Sequence, residues 1–117
     1  MKHLKAGRKL KRTKDQRKAL LKTMLGSLIL HEKIITTEAK AKELKRLIDP
    51  IINTAKKSEK ATAIRRLSQI IPKASAKKIT GEFLKKFSSR NSGYTRVIKL
   101  SSRQSDDAKM SVIEFMD

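Results

Sequence analysis

From Leu20 onward the apolar residues fall at helical spacing. Leu20, Leu21, Met24, Leu25, Leu28 and Ile29 recur at intervals of three and four, the period of one helix face. Upstream, Thr13-Lys-Asp-Gln16 fits a capping box, in which the Thr hydroxyl accepts from the third helical N–H and the Gln side chain reaches back. The pattern predicts a first helix over 14–31, with Gly26 as a mild weakness. Ile34, Ile35 and Thr36 make a short strand. Thr37 suits a helix N-cap, and Glu38 suits the positive end of the dipole. Ala41, Leu44, Leu47, Ile48, Ile51, Ile52 and Ala55 then continue one face of a second helix. Pro50 lies inside it and predicts either a kink or a break with Asp49 capping a new helix.

Ser58 is placed to cap a third helix, with Ile64, Leu67, Ile70 and Ile71 as its apolar side and Pro72 as its stop. A fourth helix carries Ile79, Phe83, Leu84 and Phe87. SSRNSG at 88–93 reads as a loop. YTRVIKL at 94–100 and MSVIEFM at 110–116 read as strands joined by a polar loop. Apolar and polar residues mix on both faces of each strand, so the expected sheet has helices on one side and a partner on the other.

Residues 1–12 break the pattern. Leu4 and Leu10 are their only large apolar residues, and no period joins them. This segment is expected to be an arm that orders on a partner, ahead of a single globular domain over 13–117. In residues 1–22, Lys2, Lys5, Arg8, Lys9, Lys11, Arg12, Lys14, Arg17, Lys18 and Lys22 face Asp15 alone. Over all 117 residues, 30 Lys and Arg against 11 Asp and Glu give a formal net charge of +19. Self-repulsion on that scale calls for a polyanionic partner. Nucleic acid is favoured over a membrane, because the chain shows no long apolar stretch, lipidation motif or amphipathic anchor. Each cation–phosphate contact releases counterions, so affinity accrues without base reading.

Other chemistry finds little support. The absence of cysteine excludes disulfides and cysteine-based zinc sites and suits the cytoplasm. No apolar segment follows the basic start, as a secretory signal would require, and the Ser-rich amphipathic pattern of a transit peptide is missing. His3 and His31 are the only histidines, and they form no metal cluster. No glycine-rich phosphate loop occurs. The expectation is therefore no enzyme, no cofactor, no metal and no small-molecule substrate. The rival readings are a DNA-architectural protein, which would need a recognition helix or wedge, and an RNA-acting enzyme with Asp106, Asp107 and Glu114 as metal ligands.

Two further basic features carry alternatives. Lys42, Lys45 and Arg46 share a helix face, which serves equally as a binding face or a solubilising one. In RNSGYTR at 90–96, Arg90 and Arg96 flank Tyr94, which either stacks on one base or anchors the strand in the core. The chain has too few aromatics for a stacking platform.

Three blocks give the chain a resemblance. It opens M-K-H-x-K-x-G-R-K-L-x-R and continues RKALL at 17–21; TTEAKAKELKRLIDPIINTAKK follows at 36–57; R-N-S-G-Y-T-R stands at 90–96 ahead of IKL, Arg103, Asp106, Met110 and IE at 113–114. In order and spacing these blocks resemble the bacterial large-subunit ribosomal protein seventeen family over essentially the whole chain. Gln16 stands where that family usually has His, Ser92 and Ser105 replace glycines, and Lys109 replaces a common proline. The resemblance implies an α+β fold: a helix, a short strand, three helices, then a two-stranded hairpin forming a small mixed sheet. It implies a structural role in the large subunit near the peptide tunnel exit. It also implies binding to large-subunit ribosomal RNA, with neighbouring proteins, including protein thirty-two, as partners. The residues expected to meet RNA are Lys2, His3, Lys5, Arg8, Lys9, Lys11, Arg12 and Arg17, then Lys42 and Arg46, then Arg90, Tyr94 and Arg96. Recognition is expected mainly through phosphate backbone and shape.

Overall fold

The computed structural model describes residues 13–88 and 92–116. The arm expected over 1–12, and Arg90, lie outside them. Helix α1 runs Lys14–His31, strand β1 Lys33–Thr37, helix α2 Glu38–Lys57, α3 Lys60–Leu67 and α4 Lys73–Ile79. A 3₁₀ helix over Glu82–Phe87 follows, then strands β2, Thr95–Lys99, and β3, Met110–Phe115. The fold is α+β, as expected.

Helix α1 has the boundaries that the apolar period and the capping box predict. Thr13 Oγ1 accepts from the Gln16 N–H at 3.3 Å, and Gln16 Oε1 accepts from the Thr13 N–H at 3.3 Å. Two of the helix's orphan donors are thereby satisfied. The other end closes on Glu32, which lies in the left-handed region at φ 65° and donates its N–H to the Leu28 carbonyl. That conformation is uncommon without glycine. Here it is held from three sides. The Glu32 carboxylate accepts from Lys78 at 2.9 Å and Lys86 at 3.4 Å, and its carbonyl accepts from the Phe115 N–H at 3.2 Å.

Helix α2 passes through Pro50 unbroken, so the second helix does not restart there. Asp49 caps nothing; its Oδ2 instead accepts from the Gly93 N–H at 3.2 Å. Thr37 sits at the N-cap without a side-chain hydrogen bond. Ser58 corrects the expectation for the third helix. It is the C-cap of α2, and α3 starts after Glu59. Helix α3 then stops at Leu67, where Ser68 Oγ donates back to the Ile64 carbonyl. Ile70 and Ile71 lie in the turn beyond, and Pro72 opens α4 instead of ending α3. Proline suits a helix start because its missing N–H has no partner to lose there. The expected fourth helix divides into α4 and the 3₁₀ helix, with Thr80 Oγ1 donating to the Ala76 carbonyl at the division.

The sheet is corrected in one respect. Its order is β1-β3-β2, and both pairings are antiparallel, so it is not mixed. The central strand β3 runs against both neighbours. Its Ser111, Ile113 and Phe115 point into the core with Thr36 and Thr95, and α2 covers that face. The opposite face carries the row Ile35–Val112–Ile98, with Ile35 65 % exposed and Ile98 44 %.

The core is aliphatic toward the helices, with Leu25, Leu28, Ile29, Leu44, Ile48 and Ile52 essentially inaccessible. Toward the sheet it is aromatic. Phe83, Phe87, Tyr94 and Phe115 pack with ring centroids 5.0–5.6 Å apart. These are all the aromatic residues of the chain. Three of the four ring pairs meet edge-on, the geometry the ring quadrupoles favour.

Candidate nucleic-acid interface

The cations of the described residues divide into those held by the protein's own groups and those left facing solvent. In the first set, Lys42 meets Glu38 at 3.0 Å, and Arg46 pairs with the buried Glu43. Arg96 lies 3.5 Å from Glu114, directly across the strand pair. Arg103 forms a two-pronged pair with Asp106 at 3.0 and 2.9 Å, beside the loop residue Asp107 at φ 56°. Lys56 donates to the Phe87 carbonyl at 2.9 Å and to the Tyr94 hydroxyl at 3.4 Å. Lys78 and Lys86 share Glu32, and each ammonium lies 5.2 Å from the Phe83 ring centre.

These pairs set the carboxylates' protonation. The hydrogen bond from Lys78, with help from Lys86, holds Glu32 below the ordinary glutamate value. Lys42 does the same for Glu38, and Arg103 for Asp106. In each case the neighbouring cation favours the charged form.

In the second set, α1 carries a continuous stripe. Lys14, Arg17, Lys18 and Lys22 follow at helical spacing, and among the described residues none of them meets a carboxylate. The capping box fixes where this helix begins, so it also fixes where the stripe begins. The basic run of residues 1–12 leads directly into it.

Of the residues expected to meet RNA, Arg17 lies in this unpaired stripe. Lys42, Arg46 and Arg96 are exposed but already carry acidic partners. Tyr94 is corrected. It is 0 % exposed, packs edge-on against Phe87, and donates its hydroxyl to Asn53 Oδ1 at 2.6 Å. A base cannot stack on a ring inside the core, so the core alternative holds. Lys18 and Lys22 join Arg17 in this stripe and are not among the residues expected to meet RNA. Their i, i+4 spacing on a strongly predicted helix was the available signal.

Among the described residues, no three His, Asp or Glu side chains gather closely enough to hold a metal ion. Asp106 is engaged by Arg103, and Glu114 by Arg96. No helix among the described residues is long and apolar enough to cross a membrane.

Residues 20–116 match the model of the family described as Ribosomal protein L17. The chain belongs to the ribosomal protein L17 family. It is 47 % identical over 117 residues to a protein of Pelagibacter ubique (strain HTCC1062) named Large ribosomal subunit protein bL17. That alignment covers 100 % of this chain and 81 % of the relative. A protein of the same name from Allorhizobium ampelinum (strain ATCC BAA-846 / DSM 112012 / S4) is 39 % identical, with 100 % and 83 % covered. The family match begins at residue 20, within α1. The two alignments extend through the basic start as well.

Proposed function

We propose that the protein is a structural constituent of the large ribosomal subunit that binds large-subunit ribosomal RNA near the peptide tunnel exit. The role needs no catalysis. Residues 1–12 and the α1 stripe act together on phosphate, and the domain over 13–117 supplies the rigid base. Neighbouring proteins, including protein thirty-two, complete its surroundings in the cytoplasmic ribosome. The observation that carries this reading is the unpaired run Lys14, Arg17, Lys18 and Lys22, continuous in sequence with the basic residues 1–12. Acidic side chains offset Lys42, Arg46, Arg96 and Arg103 elsewhere in the fold, but among the described residues none offsets these four. A polyanion neutralises such a run, and counterion release drives the association. The burial of all four aromatics favours recognition by backbone and shape over stacking.

The test deletes residues 1–12 and follows sedimentation of the protein with large subunits over a salt series. Loss of incorporation at moderate salt is expected. Incorporation and salt resistance equal to those of the full chain would overturn the reading. Arg8→Ala with Arg12→Ala is expected to flatten the salt slope by about one unit per lost phosphate contact.

A further inference from the structure

An open groove of about 440 Å³ runs between α1, the middle of α2 and the turn after α3. Its volume lies within the ~300–1,000 Å³ usual for clefts that take small ligands. Leu21, Leu47, Pro50 and Ile70 give it an apolar floor. Ile70 is 48 % exposed, so the fold itself leaves this floor uncovered. Lys18 and Lys22, one turn apart on α1, supply the charge along one wall. Among the described lining residues none is acidic. Thr54 and Gln69 add neutral donors and acceptors.

The ligand that fits these walls has a flat apolar face, a hydrogen-bonding edge and a negative charge close by. We propose that the groove receives one unstacked nucleotide of RNA, its base against the Leu21–Pro50–Ile70 floor and its phosphate against Lys18 and Lys22. This deepens the RNA-binding reading and rests on it. A duplex is too wide for a groove of this volume, whereas single nucleotides splayed from loops and bulges are the usual objects of specific RNA recognition. The chain's aromatics are all in the core, so an aliphatic and proline floor is the apolar platform the α1 surface has to offer a base.

Charge separates this occupant from the others. A second copy would bring +19 against +19. The chain's own residues 1–12 are basic and would meet Lys18 and Lys22 unfavourably. A segment of another protein would need both an apolar anchor and acidic flanks, whereas RNA carries its charge beside every base.

The experiment places a photoreactive benzoylphenylalanine at position 70 of the full-length protein and assembles it with large-subunit RNA and proteins. Irradiation is expected to join it to one nucleotide of the RNA. Dimethyl sulfate or acylation probing is expected to show that nucleotide protected by the natural protein. Lys18→Ala with Lys22→Ala should remove the protection, and Lys18→Arg with Lys22→Arg should retain it. Each lost charge-assisted bond weakens occupancy about tenfold. Ile70→Asp should also remove protection; because Ile70 is exposed, its thermal unfolding should match that of the natural protein. Crosslinking to another protein, to a second copy or to residues 1–12 would overturn the proposal, as would the absence of any protected nucleotide. The salt-dependent binding of the full chain separates the two levels. If the protein binds RNA and no nucleotide occupies the groove, only this inference fails. If it binds no RNA, both fail.

Discussion

Gly26 of α1 lies against the ring of Pro72 so closely that a Cβ at position 26 would come 2.8 Å from both Cγ and Cδ. Ser75 Oγ, which donates to the Gly26 carbonyl at 3.1 Å, would lie 3.2 Å away. A proline ring is not a flexible tip that can swing aside. Gly26 is therefore what allows α1 and α4 to pack as closely as they do. Gly26→Ala gains ~1 kcal/mol of helix propensity and loses about 1–3 kcal/mol to overpacking. Net destabilisation of about 1 kcal/mol is expected in urea denaturation. A gain in stability would show that the α1–α4 contact yields easily.

Tyr94→Phe keeps the ring in the aromatic cluster and removes the hydroxyl shared by Asn53 and Lys56. A loss of about 1 kcal/mol in thermal unfolding is expected, with RNA affinity unchanged. A fall in affinity without a fall in stability would return Tyr94 to the RNA surface.

Glu32 makes the fold sensitive to acid. Lys78 and Lys86 depress its native pKa below the unfolded value. Its contribution is therefore present above the ordinary glutamate pKa of ~4.3 and is lost as pH falls through the lower native value. The Glu32 side chain is 42 % exposed, so solvent screening keeps the effect of Glu32→Gln under about 1 kcal/mol at neutral pH. The difference between Glu32→Gln and the natural protein should close as urea titrations move from pH 7 toward pH 3. A difference that widens in acid would contradict the assignment.

Pro50 sits inside α2, where it has no N–H to give the Arg46 carbonyl. It is exposed, so replacing it disturbs no core packing. Pro50→Ala is expected to raise stability by at least about 1 kcal/mol, part of the ~3 kcal/mol that proline costs in a helix interior. Under the groove proposal the same variant weakens protection of the bound nucleotide. Measuring unfolding and probing on one sample would show the two effects moving in opposite directions.

What the sequence made legible follows from how much each signal repeats. Helix α1 has periodic apolar residues from Leu20 to Ile29 and a complete capping box, and its observed bounds match those the pattern predicts. Helices α3 and α4 have 8 and 7 residues, too few turns for a period to fix an end. There Ser58 and Pro72 were each read as the boundary of the wrong helix. Both residue types suit helix ends of either kind, and only tertiary packing selects between them. Tyr94 was ambiguous because its neighbours Gly93 and Arg96 point to a surface loop, while the cluster that buries it comes from Phe83, Phe87 and Phe115. The groove was not legible, since Lys18, Pro50 and Ile70 meet only through the packing of α1, α2 and the turn after α3.

The aromatic cluster also makes the protein optically simple. The chain has one tyrosine and no tryptophan, so the near-ultraviolet signal above the phenylalanine bands belongs to Tyr94. That ring sits where the 3₁₀ helix, α2 and the start of β2 converge. Tyrosine fluorescence or near-ultraviolet dichroism therefore watches one joint, while far-ultraviolet dichroism watches the helices. Coincident unfolding curves from the two would mean that helices and sheet come apart as one unit.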